Sequence, residues 1–180
     1  GKPTLVNNVE TLCNIPRILQ KGAAWFTQVG TEKCPGTMMF SLSGAVNRPG
    51  VYEMPMGVTV RELIEECGGG VPGGRKIKAV FPGGPAFSML TADQLGLPMD
   101  FDSLKKAGTG LGSAGVIVVD DATCMVRQTL KFSDFFKGES CGQCPPCRMG
   151  TINLASLMTK IEAGEGTQKD LDSLLQLCGF

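Results

Sequence analysis

The chain has 180 residues, with 17 basic and 17 acidic side chains, eight cysteines and no histidine. The lack of histidine excludes Ser-His-Asp and Cys-His catalysis and histidine-ligated zinc or haem. The formal charge of zero argues against nucleic acid or an anionic membrane surface as a partner. Apolar residues make up 42% of the chain, so we expect a folded core rather than disorder.

The sequence predicts neither a membrane-spanning segment nor a secretory signal. Its longest strongly apolar run, at residues 116–119, is far shorter than the roughly 18 residues that cross a bilayer, and no basic and apolar stretch opens the chain. We therefore expect a cytosolic protein with reduced cysteines. The chain begins at Gly1 rather than Met and ends inside a helical pattern, which predicts a piece of a longer protein.

The first half of the chain predicts a short helical segment followed by a β-rich module. Residues 1–35 show helical spacing of apolar side chains, and Pro16 is expected to kink or split this helix. Residues 36–92 then predict a hairpin with its turn at residues 47–50, a helix opened by a Thr59–Glu62 capping box, and two further strands. This order of elements is typical of a β-grasp domain.

The second half predicts a connection and then a helical domain. Residues 93–122 are expected to be mostly irregular, with one buried strand at 116–119. Residues 123–180 predict three helices, around 123–137, 145–163 and 168–178. The predicted fold class is therefore α+β, a β-grasp domain followed by an α-helical bundle.

The strongest chemical signal is the spacing of Cys141, Cys144 and Cys147. Three thiolates in a C-x2-C-x2-C pattern can bind three irons of a [4Fe–4S] cluster. Gly142 allows a tight turn, and the prolines at 145 and 146 start a helix whose unpaired N–H groups are expected to hydrogen-bond cluster sulfur.

Two other kinds of site use the same cysteines. A dithiol oxidoreductase contains C-x-x-C, but it needs a preceding strand and has no use for a third thiol in register. A structural zinc site would need a further ligand pair, and the chain contains no C-x2-C outside this run of three cysteines.

The fourth ligand of such a cluster is not evident from the spacing of the other cysteines. Cys67 and Cys178 each close an apolar helical stripe, where we expect a small buried hydrophobic residue rather than a ligand. The fourth ligand is therefore expected beyond residue 180. The run from Gly110 to Gly115 has the letters of a dinucleotide-binding fingerprint but a strand after it instead of before it, which favours a flexible loop.

Several segments resemble the family of the flavoprotein F subunit of bacterial NADH:quinone oxidoreductase, respiratory complex I. The resemblance covers essentially the whole chain and is carried by Val6-Asn7-Asn8-Val9-Glu10-Thr11-Leu12, Arg48-Pro49-Gly50-Val51-Tyr52-Glu53, Leu97-Pro98-Met99-Asp100-Phe101 and Glu139-Ser140-Cys141-Gly142-Gln143-Cys144-Pro145-Pro146-Cys147-Arg148.

The resemblance implies a function and a set of site residues. In that family NADH reduces FMN, and electrons pass to a [4Fe–4S] cluster and on toward quinone. Cys141, Cys144 and Cys147 match cluster ligands, whereas Asn7, Asn8 and Thr11 match the FMN site. For the asparagines, helix capping is an equally good explanation. The glycine-rich NADH and FMN loop of the family is not in this sequence, so we expect the fragment alone to be inactive.

The resemblance also implies partners and a location. Residues 1–35 would be the tail of an FMN-binding domain, and the partners would be the thioredoxin-like [2Fe–2S] E subunit and the iron–sulfur G subunit. The complex would hold the chain at the cytoplasmic face of the inner membrane without inserting it. NAD-linked formate dehydrogenases and hydrogenases contain related subunits, and a β-grasp binding module without redox activity is a further alternative.

Overall fold

The computed structural model describes residues 1–179, which form two compact units that divide after Asp121. The first unit contains a five-stranded sheet and short helices, and the second is helical. The protein is therefore mixed α/β, in agreement with the coarse prediction. None of the helices in residues 1–179 combines the length and apolarity needed to cross a membrane.

Two helices open the first unit, α1 (Val9–Lys21) and α2 (Ala23–Phe26). Asn8 caps α1, because its side chain accepts from the N–H groups of Glu10 and Thr11. Pro16 lies inside α1 without ending it, so the expected split at Pro16 is wrong. The break falls at Gly22 instead, where φ is 86° and glycine is strongly preferred.

The sheet has the strand order β2-β1-β5-β3-β4. The strands are β1 (Thr37–Gly44), β2 (Gly50–Pro55), β3 (Ile77–Phe81), β4 (Leu90–Thr91) and β5 (Gly115–Asp120). The predicted hairpin is present as the antiparallel pair β1 and β2. Strand β5 lies in the middle, parallel to β1 and antiparallel to β3, and so joins the two halves of the sheet.

The core of this unit is built from alternate strand residues and one helix. Phe40 and Leu42 on β1 are buried, whereas Met39 and Ser41, which alternate with them, are exposed, as a strand with one covered face requires. The helix α3 (Val60–Glu62) begins with the predicted Thr59–Glu62 capping box and continues as one π-helical turn, Leu63–Cys67. The fully buried side chains around them include Val60, Leu63, Ile64, Val80, Leu90, Met99, Leu104, Val116 and Val118.

The segment before β5 contains a short helix, α4 (Phe101–Lys106), that periodicity did not predict. Asp100 caps it by accepting from the Ser103 N–H at 2.7 Å, and Leu104 anchors it in the core with no exposed surface. Six residues are less than two turns, which is too short for an apolar period to be recognised.

The second unit consists of α5 (Met125–Glu139), α6 (Pro145–Glu162) and α7 (Gln168–Leu177), close to the three predicted helices. Arg127 on α5 donates to Glu162 on α6 at 2.8 Å, and Lys160 on α6 donates to Asp170 on α7 at 2.7 Å. Ala155 and Met158 provide buried apolar contacts along α6.

Candidate iron–sulfur loop and the cleft at helix α1

The three cysteines of the C-x2-C-x2-C pattern lie where α5 ends and α6 begins. Ser140 is the C-cap of α5, Cys144 is the N-cap of α6, and Cys147 follows within the first helical turn. Gly142 has φ 73°, a left-handed conformation that lets the chain reverse between the helices. Pro145 occupies the first helical position, where a missing N–H costs nothing. The local sequence therefore brings the loop and the helix start together.

The Ser140 side chain forms hydrogen bonds across this loop. Its Oγ accepts from the Gly142 N–H at 3.2 Å and lies 3.4 Å from Cys147 Sγ. The three thiols at 141, 144 and 147 are exposed and free. Ser140 therefore ties the beginning of the loop to the last cysteine of the pattern.

The supply of amide donors at the start of α6 is smaller than the sequence interpretation assumed. Prolines at 145 and 146 have no N–H, and the Arg148 N–H bonds to the Cys144 carbonyl at 2.9 Å. The amides left near the thiols by α6 are those of Cys144 and Cys147. The expectation that the start of α6 donates hydrogen bonds to cluster sulfur can therefore apply only to the Cys144 and Cys147 N–H groups.

The donor chemistry of the loop fits an iron–sulfur cluster, but the thiols are not gathered. Three free cysteines within seven residues are a soft-ligand set suited to iron–sulfur or zinc. Within residues 1–179, no three His, Cys, Asp or Glu side chains lie grouped as metal ligands. A bound cluster would therefore require the loop to draw its thiols together.

The two cysteines expected to be buried differ in the structure. Cys67 is half-buried, its Sγ lies 3.5 Å from Met54 Sδ, and burial raises the pKa of its thiol. Cys178 is exposed at the C-cap of α7, so the expectation of a buried thiol there is wrong. No residue of α7 is buried, because one face of apolar spacing does not by itself ensure a covering partner.

Cys124 is a candidate reactive residue that the sequence interpretation missed. It is the exposed N-cap of α5. The backbone N–H groups of Arg127 and Val126 at the start of α5 lower the pKa of the Cys124 thiol, because they favour the negative thiolate. Its place at the start of the helix predicted around residues 123–137 is the signal that could have identified it.

A cleft of about 620 Å³ lies between the start of α1 and the sheet. Asn8 and Thr11, two of the three predicted FMN-site residues, line it together with Lys33 and Ser113. Asn7 is not among the lining residues, and its Oδ1 accepts from the Asn8 N–H at 2.8 Å. Glu10 also lines the cleft, which therefore has hydroxyl, amide, ammonium and carboxylate groups on its walls.

The carbonyl oxygen of the Asn8 side chain is used to cap helix α1. Its Oδ1 accepts from the N–H groups of Glu10 at 2.9 Å and Thr11 at 3.2 Å. The capping explanation for Asn8 is thus confirmed, while its NH₂ group is left for another acceptor. A ligand in the cleft would meet Asn8 as a hydrogen-bond donor.

The glycine-rich run before β5 is packed rather than open. A side chain at Gly83, Gly110 or Gly112 would collide with the ring of Phe87, so glycine is needed at all three positions. The run leads into a strand and not a helix, which confirms that it is no dinucleotide fingerprint. The expectation of a flexible loop did not include this packing, and Gly112 and Ser113 at its tip line the cleft.

Two family models match the chain, in agreement with the two units. Residues 127–180 match the NADH-ubiquinone oxidoreductase-F iron-sulfur binding region, and residues 39–89 match the SLBB domain. The first match contains the whole cysteine loop. The helical unit is therefore similar to the iron–sulfur binding region of an NADH-ubiquinone oxidoreductase.

Relatives cover nearly all of this chain. The F subunit numbered 2 of the NADH-quinone oxidoreductase of Rhizobium meliloti is 50% identical over 178 residues, 99% of this chain and 42% of that protein. The F subunit of the Escherichia coli NADH-quinone oxidoreductase is 45% identical over 180 residues, 100% of this chain and 40% of that protein. NADP-reducing hydrogenase subunit HndC of Solidesulfovibrio fructosivorans is 44% identical over 176 residues, covering 98% and 36%.

A solved structure has the same fold. The crystal structure of an air-oxidised NAD⁺-reducing [NiFe]-hydrogenase matches with a TM-score of 0.84 and 37% identity, over 98% of this chain and 30% of that one. With the relatives from Rhizobium and Escherichia, this match shows that nearly the whole chain is similar to part of the NADH-quinone oxidoreductase F subunits. The chain spans about two fifths of the length of those two relatives, which are covered to 42% and 40%.

Proposed function

We propose that the chain is the cluster-bearing part of an NADH-oxidising flavoprotein subunit. In the complete subunit, electrons from NADH would pass through FMN to a [4Fe–4S] cluster and on toward quinone. The observation that supports this proposal most directly is the loop of three exposed, free cysteines at the start of α6. It lies inside the matched iron–sulfur binding region.

The residues around the loop have defined roles in this proposal. Cys141, Cys144 and Cys147 would hold the cluster, which supplies one-electron transfer when bound. The partial positive charge at the N-terminus of α6 favours the negative charge of a thiolate-ligated cluster, and the N–H groups of Cys144 and Cys147 can donate to its sulfur atoms. Electron transfer of this kind needs no acid or base, which agrees with a chain without histidine.

The cleft at α1 is the proposed remnant of the FMN site. Asn8 offers its NH₂ group, and Thr11 offers its hydroxyl, to phosphate or ribityl oxygens of FMN. Asn7 contributes through its hydrogen bond to the Asn8 N–H. NADH would bind with parts of the subunit that this sequence does not contain.

We further propose the finer architecture and the partners. The sheet with α3 would form a β-grasp domain around residues 36–92, completed by the central pairing of β5 with β1. Residues 123–180 would form the iron–sulfur domain. The partners would be the [2Fe–2S] E subunit and the iron–sulfur G subunit at the cytoplasmic face of the membrane.

A second candidate is the equivalent subunit of an NAD-linked hydrogenase. It is favoured by the 44% identity to the hydrogenase subunit HndC and by the TM-score of 0.84 to an NAD⁺-reducing hydrogenase. Purifying the complete native complex distinguishes the two, because a hydrogenase would oxidise hydrogen with reduction of NAD⁺ or NADP⁺. The complex I assignment instead requires NADH-dependent quinone reduction.

The cluster is tested by iron and acid-labile sulfide analysis of the complete subunit, purified without oxygen. We expect about four irons per chain and an electron paramagnetic resonance signal after reduction. Cys144→Ser should lose both, whereas Cys178→Ser, a matched change in the same unit, should keep them. A colourless, zinc-loaded protein, or equal iron loss in the two variants, would contradict the proposal.

The FMN contact is tested by Asn8→Asp in the complete subunit. Aspartate caps a helix as well as asparagine does, but it removes the NH₂ donor and adds a negative charge facing a phosphate. We expect FMN to bind at least about tenfold more weakly, as a lost hydrogen bond predicts. Asn153→Asp, the same chemical change on α6, should bind FMN normally.

A further inference from the structure

Glu10 connects helix α1 to the sheet. It lies in the first turn of α1, and its carboxylate Oε1 accepts from the Met39 N–H of β1 at 3.0 Å. The two residues are 29 positions apart in sequence. The contact is therefore tertiary and is not part of helix capping.

The sheet leaves this amide without a strand partner. β5 pairs with β1 only from Ser41 to Gly44, and the Ser41 N–H on that side bonds to the Ala114 carbonyl at 3.0 Å. Backbone groups two residues apart in a strand point the same way, so the Met39 N–H faces the side where β5 has ended. Glu10 takes the place of the strand at that point.

The same residue is bonded to the cleft residue Asn8. The Glu10 N–H donates to Asn8 Oδ1 at 2.9 Å, and its side chain also lines the cleft. Asn8 and Thr11 stand on the α1 wall, whereas Thr37 and Met38, next to Met39, stand on the β1 wall. Glu10 is thus bonded to both walls at once.

We propose that Glu10 is a positioning residue for FMN. It sets the spacing between the Asn8 turn and strand β1, so that the Asn8 NH₂ group and the Thr11 hydroxyl meet the flavin nucleotide in the geometry that binding needs. The inference rests on the proposed FMN site, and it adds a residue whose role is exerted through others.

The test uses the complete flavoprotein subunit and measures FMN affinity by the change in flavin fluorescence. Glu10→Ala should weaken FMN binding about tenfold, the effect of one lost positioning hydrogen bond. Glu10→Asp, which keeps the charge but is one methylene too short to reach Met39, should weaken it similarly. Glu10→Gln keeps an oxygen acceptor and should bind FMN within about twofold of the wild type. Glu65→Ala removes another exposed carboxylate, in the π-helical turn after α3, and should leave the affinity unchanged.

The outcomes separate this inference from the function on which it rests. Wild-type FMN affinity in Glu10→Asp, together with weak binding in Asn8→Asp, would overturn the role of Glu10 and leave the FMN site standing. Unchanged affinity in Asn8→Asp would instead contradict the FMN site itself. Glu10→Gln binding as weakly as Glu10→Ala would also overturn the inference, because an acceptor oxygen at that position should suffice.

Discussion

Gly44 at the end of β1 gives a direct test of the central strand pairing. Its φ is 86°, and it is paired with Val118 of β5 in the parallel part of the sheet. A Cβ at this position would lie 2.9 Å from Val118 N and closer still to Val118 O. Since Val118 is 1% exposed, it cannot move aside without disturbing the core. Gly44→Ala should therefore loosen the junction of β1 and β5.

The cost of Gly44→Ala can be worked from two terms. Placing alanine in a left-handed conformation costs about 1–2 kcal/mol. Displacing the Val118 carbonyl weakens its hydrogen bond from the Ala45 N–H, now 2.8 Å, which is worth about 1 kcal/mol. Alanine also reduces the conformational entropy of the unfolded chain, which offsets about 0.4–1 kcal/mol of this loss. The expected net loss is about 2 kcal/mol.

Gly108→Ala is the matched control, because Gly108 has φ 79° and a Cβ added there would meet nothing within 4 Å. It carries the conformational cost without the collision, so its expected loss is about 1 kcal/mol smaller than that of Gly44→Ala.

Urea unfolding followed by fluorescence measures both variants, since Trp25, the single tryptophan of the chain, lies in the same unit. With a slope of about 2 kcal/mol/M, Gly44→Ala should lower the midpoint by about 1 M. Equal shifts for the two variants would refute the reasoning about Val118.

Two further predictions concern the helical unit. The Lys160 ammonium holds the pKa of the Asp170 carboxyl down at about 2, against an ordinary 3.8, so its stabilising effect is complete above pH 3.8 and is lost as the pH falls through about 2. Asp170→Asn should therefore flatten that part of the acid unfolding curve measured by circular dichroism, and an unchanged curve would contradict the pairing. For Cys124, whose thiol pKa the Arg127 N–H lowers, iodoacetamide at pH 7 should react faster than at Cys13, an exposed thiol inside α1. Peptide mapping by mass spectrometry measures both rates, and equal rates would contradict an N-cap thiolate.

Much of the local structure could be predicted because its causes lie within a few residues. The Thr59–Glu62 capping box, the β1–β2 hairpin and the helices of the second unit all have local signals, and all are present. The predicted turn at 47–50 is displaced, because residues 45–49 join the strands and Gly50 already belongs to β2. The cysteine spacing is local in the same sense, and the matched iron–sulfur binding region contains it. The assignment of Cys141, Cys144 and Cys147 as ligands stays a prediction.

Features that depend on distant residues could not be predicted in this way. Helical spacing at Cys178 indicated burial, but the residue is exposed, since a periodic face shows which side is apolar and not what covers it. The helix α4 was missed because Leu104 is held by the core and not by a repeated pattern. Asn8 could be read as a cap or as a ligand contact, and only its hydrogen bonds show how the side chain is divided.

The sequence alone determined which chemistry the chain carries: soft thiol donors at a helix start, no imidazole, and two kinds of secondary structure in succession. These follow from residue types and from spacings of a few positions. The tertiary structure decided that β5 lies between β1 and β3 and that Glu10 replaces β5 beside Met39. Such contacts depend on which backbone groups remain unpaired after folding, because burial makes an unmade hydrogen bond costly. Which backbone groups remain unpaired depends on the assembled sheet and cannot be predicted from any single segment of the sequence.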